Sequence, residues 1–170
     1  MDPTERNVVM SKITPNLWFD GEAEQAAQFY TSVFENSRIV STTRYPEGAP
    51  GPAGEVMTVE WELDGQRFVG INGGPEFKFS EAVSFAIDCE DQDEVDYYWE
   101  KLTDGGGEES VCGWLKDRFG LSWQVIPKGM EELFDDSDPE RAKRAMEAML
   151  KMKKLDIAAL RSAADGVPAP

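Results

Sequence analysis

The chain has 170 residues, of which 29% are charged and 41% hydrophobic, and a formal net charge of −16. That composition is globular and long enough for one domain burying about 70% of its unfolded surface; its acidity opposes non-specific binding to nucleic acid, which depends on neutralising phosphates. Histidine is absent, which removes Ser-His-Asp and Cys-His mechanisms and every imidazole metal site.

The opening MDPTERNVVM lacks a positive head followed by an apolar stretch, so no secretory signal is expected. No apolar run approaches the ~18 residues of a membrane helix, and a cytoplasmic protein is the expectation. KITPNLWF, residues 12–19, alternates and reads as a strand with Ile13, Leu17 and Phe19 on one face and Thr14, Asn16 and Trp18 on the other. DGEAEQAAQFYTSVF places Ala23, Ala26, Ala27, Tyr30, Val33 and Phe34 at helical spacing behind a possible Asp20 cap. SRIVSTTRYP is a β-branched run, and EGAPGPAG is a loop on its proline and glycine content. EVMTVEWELDGQRFVGIN reads as a hairpin around Asp64-Gly65, with Met57, Val59, Trp61 and Leu63 on its packed face. Glu60 and Glu62 fall on the wet face, where carboxylates are ordinarily solvated.

Asn72-Gly73-Gly74-Pro75 comes next. A phosphate-binding glycine loop leaves a strand and opens directly into a helix whose amides meet the anion. Here the glycines lead through Pro75 into another strand, so they mark a seam between two halves. Phe77 and Phe79, just beyond, read as anchors of the link. The order then restarts: AVSFAIDCE as a strand, DQDEVDYYWEKLTDGG as a helix with an acidic first turn and a glycine stop, a weak strand in GEESV, and CGWLKD and LSWQVIPK as two strands joined through RFG. Trp123 has core parity. Cys89 and Cys112 are not spaced as Cys-x-x-Cys, and free buried thiols are expected of them.

From Lys128 onward there are 8 basic and 9 acidic residues, so this tail is near −1 and the body near −15. Asp138-Pro139 predicts a capped helix start, with an apolar stripe of Ala142, Ala145, Met146, Met149 and Leu150 that reads as packing. Asp156 predicts the cap of a second short helix. The basic run 140–154 beside an acidic body predicts docking on that body or on a partner's copy of it.

The paired strand–helix–three-strand halves resemble the vicinal oxygen chelate superfamily of glyoxalase I, bleomycin-resistance proteins and extradiol dioxygenases. KDRFGLSWQVIP is similar to its last hairpin, where Asp-x-x-Gly makes the turn. ITPNLWFDGEAEQAAQFYTSVF, FKFSEAVSFAIDCEDQDEVDYYWEKL and MLKMKKLDIAAL resemble its PhnB-like subfamily, often labelled demethylubiquinone methyltransferase-like. The resemblance implies an α+β fold of two βαβββ modules forming curved sheets around a cavity (1–128, halves about 12–74 and 79–128), a C-terminal helical extension (129–170), and a homodimer. The places of the metal ligands of relatives correspond to Thr14, Gly70 or Asn72, Ser84 and Gln124. These are neutral, weak donors, a poor substitute for the charged or imidazole ligands that compensate a divalent cation for lost hydration, so no metal and no cofactor are expected. By strand parity Thr14, Asn16, Trp18, Asn72, Ser84 and Gln124 are expected to face one side and bind a small-molecule ligand. Two function classes follow: a metal-free small-molecule binding or sequestering homodimer, or a metal-free isomerase- or lyase-type enzyme in which amides and hydroxyls polarise a carbonyl while a carboxylate acts as base. Methyl transfer is not expected, because no glycine-rich strand-to-helix loop is present.

Overall fold

A computed structural model describes residues 11–135 and 137–168. The opening ten residues, and the reading of them made above, lie outside the described residues. The chain divides into two compact units, one up to Lys78 and one from Phe79 onward.

The first unit is β1 (Asn16–Phe19), α1 (Ala23–Val33), β2 (Ser37–Arg44), β3 (Val56–Leu63) and β4 (Gln66–Asn72). Its sheet order is β1-β4-β3-β2, with β1 parallel to β4 and the other pairs antiparallel. The β3–β4 hairpin turns at Asp64 and Gly65, which have φ of 46° and 82°, as a two-residue turn with both central residues at positive φ requires. Val59, Trp61, Leu63 and Phe68 point to one face and are buried there with Leu17, Phe19 and the Ala23, Ala26, Ala27, Tyr30 and Val33 stripe of α1. Trp61 stacks between Tyr30 and Phe68, with ring centroids 5.9 Å from each. Gly70 belongs to this face because a Cβ there would stand 2.8 Å from the Trp61 ring and 3.0 Å from the Ala23 side chain.

The second unit repeats that topology: β5 (Ser84–Cys89), α2 (Gln92–Thr103), β6 (Glu108–Glu109), β7 (Trp114–Lys116) and β8 (Ser122–Pro127), in sheet order β5-β8-β7-β6. Asp91 caps α2 by accepting the Glu94 amide at 2.9 Å. The buried Asp117 carboxylate organises the β7–β8 turn, accepting from the Phe119 and Leu121 amides and from Trp123 Nε1 at 2.9, 3.1 and 2.9 Å. Each half is therefore a βαβββ module.

α3 (Met130–Phe134), α4 (Pro139–Met149) and α5 (Ile157–Asp165) complete the second unit. Asp138 and Asp156 cap α4 and α5 through the Glu140 and Ala159 amides. The Gln92 side chain ties the tail to the module, donating to the Leu155 carbonyl and accepting the Ile157 amide. Met130, Leu155 and Leu160 form a buried cluster joined by Leu133, Phe134 and Met149. The end of the basic run docks on its own module, with Lys154 paired to Asp96 at 2.6 Å and Lys153 3.6 Å from Glu109, while Arg141 and Arg144 turn to Asp165 and the Ala164 carbonyl of α5.

Four local expectations are corrected. The first strand begins at Asn16, not Lys12, and Ile13 is 78% exposed. Pro15 has no N–H to give the ladder; only its carbonyl takes part, accepting from Val69. Asp20 does not cap α1; the Ala23 amide is taken by Asn72 Oδ1 at 2.9 Å. Of the α4 stripe only Ala145 is buried, while Met146 and Leu150 are exposed. α3 went unforeseen, since five residues are too few to show a helical period. Cys89 and Cys112 are free, the first buried and the second half-buried.

Candidate functional site

In each module one sheet face packs on the main helix and the other is open. In the first, Trp18 pairs with Ile71 and Phe19 with Asn72, so Trp18 and Asn72 point to opposite faces. This corrects the expectation that all six candidate residues share one side. Asn72 lies on the helix face, and both ends of its amide are engaged: Oδ1 accepts from Ala23 and Nδ2 donates to the Val56 carbonyl at 3.1 Å. Its own carbonyl accepts the Tyr45 hydroxyl at 2.5 Å. Asn72 thus joins β4, α1, β3 and the loop after β2.

Trp18 is half-buried on the open face. Its Nε1 donates to the Gly74 carbonyl at 2.9 Å, and the Phe77 ring meets it edge-on with centroids 4.9 Å apart. The seam glycines serve this indole. Gly73 gives it room, donates its own amide to the Phe19 carbonyl, and leads into Gly74 at φ 103°. A phosphate would need the Gly73 amide free. Asn16 is exposed and donates to the carbonyl of half-buried Thr14 at 2.9 Å. Glu60 pairs with Arg67, and Glu62 with Arg38 at 3.0 Å, so neither stands as a free acid or base.

In the second module Ser84 pairs with Ser122, Ala86 and Trp114 with Gln124, and Lys116 with Ser122. Ser84, Gln124, Trp114, Lys116 and Ser122 therefore share the open face. Gln124 Nε2 donates to Ser84 Oγ at 2.9 Å. Beside them lies a cavity of about 460 Å³ lined by Trp114, Lys116, Ser122, Glu81, Glu108 and Glu109, with the 110–112 loop. Strand parity predicted that Ser84 and Gln124 share a face, and the structure brings them together there, though neither lines the cavity. Sequence reasoning missed Lys116 and Ser122, though Ser122 shares the parity of Gln124 on β8 and Lys116 follows from the same alternation once the short β7 is placed.

Lys116 Nζ pairs with Glu81 at 2.5 Å. Its hydrogen bond to Glu81 holds the ammonium above its ordinary value, and the same bond holds the Glu81 carboxyl below its own. Neither shift suits a general base. A base for the Ser122 hydroxyl would be a lysine titrating near neutrality, and Lys116 is pushed the other way.

The places corresponding to a metal centre offer little to a cation. Gly70 has no side chain and faces Trp61, the Asn72 amide is engaged within the fold, and Ser84 and Gln124 bond to each other. Among the described residues no three His, Cys, Asp or Glu side chains gather as a metal site. This donor set does not fit a divalent ion.

The family model for 3-demethylubiquinone-9 3-methyltransferase matches residues 11–126. The chain belongs to that family. The PhnB protein of Bacillus cereus is 38% identical, with a TM-score of 0.63, and the match covers 69% of this chain and 99% of that one. Two more distant structures share the fold alone. Protein PA1353 of Pseudomonas aeruginosa is 18% identical at TM-score 0.57, covering 69% of this chain and 97% of that one. The fosfomycin resistance protein FosX of Listeria monocytogenes is 13% identical at TM-score 0.51, covering 73% and 98%. No curated protein matches the chain. In this family member Gly73-Gly74 is followed by a turn and then by β5, not by a helix, so the strand-to-helix glycine loop associated with a methyl donor is missing from the seam.

Proposed function

We propose that this family member is a metal-free small-molecule binding or sequestering protein that works as a cytoplasmic homodimer. The observation that carries the reading is the second module's open face: a cavity of about 460 Å³ set against Trp114, with the polar groups Ser122, Lys116 and Glu81 on its wall. Apolar walls with a few convergent polar groups are what a small-molecule site needs. The ion-paired state of Lys116 and Glu81 favours binding over catalysis, since a general base requires the opposite shifts. Among the described residues no helix is long and apolar enough to cross a membrane, which agrees with a cytoplasmic location. Exposed Met146 on α4 and Leu150 at its C-cap offer an apolar patch for a second copy, in line with the homodimer of the resembled superfamily.

The test is a thermal-shift screen of small organic molecules on protein treated with EDTA. At least one compound should raise the melting temperature of the treated protein, and Lys116→Ala or Trp114→Phe, both on the cavity wall, should reduce that rise. Stabilisation that appears only after a divalent metal is restored would overturn the reading.

A further inference from the structure

The charges around the second-module cavity are unequal. Glu81, Glu108 and Glu109 line it against the single ammonium of Lys116. Lys116 is occupied by Glu81. Glu109 is engaged elsewhere, accepting from Trp99 Nε1 at 2.8 Å and lying 3.6 Å from Lys153. Glu108 lies across the ladder from Lys116, and among the described residues no cation is within ion-pair distance of it. Glu108 shares the Lys116 ammonium with Glu81, so the three carboxylates outnumber Lys116 and Lys153 by one formal negative charge at the wall.

A second, independent feature points to a ligand. Ser122 is 1% exposed, lines the cavity, and its Oγ has no hydrogen-bond partner among the described residues. A buried hydroxyl left unpaired costs roughly 1–3 kcal/mol. Its oxygen can accept a hydrogen bond from an N–H donor, and its O–H can donate one. Trp114 supplies the third element on the same face: a half-buried indole, the aromatic surface that best attracts a cation.

We propose that this cavity takes a small organic cation, an ammonium group joined to an apolar or aromatic body, with Glu108 compensating the charge, the Trp114 ring meeting the cation or the body, and Ser122 accepting an N–H. An anion finds only the Ser122 hydroxyl as a free donor there and no free cation, because the one ammonium on the wall is already paired. The net charge of −16 adds long-range attraction for cations. The assignment rests on the small-molecule reading above and gives it a ligand class.

The experiment is isothermal titration of the full chain with a matched pair of probes, 2-phenylethylamine and 3-phenylpropionate, which share a body and differ in sign. The amine is expected to bind and the carboxylate not to. Glu108→Gln, on an exposed two-residue edge strand where the fold is little at risk, should weaken the amine about fivefold to tenfold, and Trp114→Phe about fivefold. Raising the salt concentration should weaken it further. Circular dichroism melts of both variants check that they fold. Binding of the carboxylate in preference to the amine, or amine binding unchanged by Glu108→Gln, overturns the cation assignment but leaves small-molecule binding standing. Failure of both probes overturns the assignment; if the EDTA-treated screen also finds no ligand, the broader reading falls with it.

Discussion

The Trp18 indole lies so close to Gly73 that a Cβ built on that glycine would stand 2.1 Å from Trp18 Cζ2. A single methyl group at position 73 must push the ring off the seam, and with it the hydrogen bond from Nε1 to Gly74 and the edge contact with Phe77. Gly73→Ala should therefore cost about 1–3 kcal/mol, the usual range for overpacking. Urea denaturation measures the loss, and a shifted tryptophan emission should accompany it. Unaltered stability and emission would show that the ring is not held there.

Asn72 acts as the cap of a helix some fifty residues earlier in sequence. Removing its amide in Asn72→Ala leaves the Ala23 N–H and the Val56 carbonyl without partners, at an expected cost of roughly 1–3 kcal/mol. Asp20→Ala, at the position sequence alone favoured as the cap, should stay within about 0.5 kcal/mol. Equilibrium unfolding of the two variants side by side decides between them; the reverse ranking would restore Asp20 as the cap.

Asp117 offers one carboxylate to three donors, two backbone amides and the Trp123 indole. Asp117→Ala should destabilise the second module by roughly 3–5 kcal/mol, because buried donors lose a charged acceptor. Asp117→Asn keeps one acceptor oxygen and should lose less. Equal melting temperatures for the two variants would contradict this division of the bonds.

Much of the architecture was legible because period and punctuation agreed. The Asp64-Gly65 turn sat between alternating runs, Asp138-Pro139 announced α4, and the strand–helix–three-strand order appeared twice. What sequence could not show were side chains whose partners are distant along the chain. Asn72 sits in a strand, so alternation aimed it at a shared pocket face; the parallel register against β1 aims it at the helix instead. Lys116 was obscured because β7 has only three residues, too few for alternation to stand out, whereas Ser122 shares the parity of Gln124 on β8 and was legible there. Cap chemistry beside α1 favoured Asp20 because local acceptors are visible in sequence and distant ones are not.

The two cysteines should behave differently. Burial, then the nearby Glu94, Asp88 and Asp91 carboxylates, push the Cys89 thiol up to about 12 from 9.0. Cys89 therefore stays protonated and unreactive at pH 8, while half-buried Cys112 is the accessible thiol. Native labelling with iodoacetamide, followed by mass spectrometry, should mark Cys112 first and Cys89 only after denaturation. A raised folded value stabilises the protein fully below the unfolded value near 9, and that contribution is lost as pH rises towards 12. Cys89→Ala should flatten the alkaline fall in stability over that interval. Equal labelling of both thiols in the native protein would place Cys89 in a wetter site than the fold gives it.

The proposal at stake is that the second-module cavity recognises a small molecule through charged side chains, a hydroxyl and an aromatic ring, with no bound metal ion. Elemental analysis of protein purified without chelator tests it most directly. Divalent metal well below one equivalent per chain, with a melting temperature unmoved by EDTA, is the expected result. A stoichiometric zinc, nickel, iron or manganese ion that EDTA removes with loss of stability, and that Gln124→Ala or Thr14→Ala no longer retains, would contradict it.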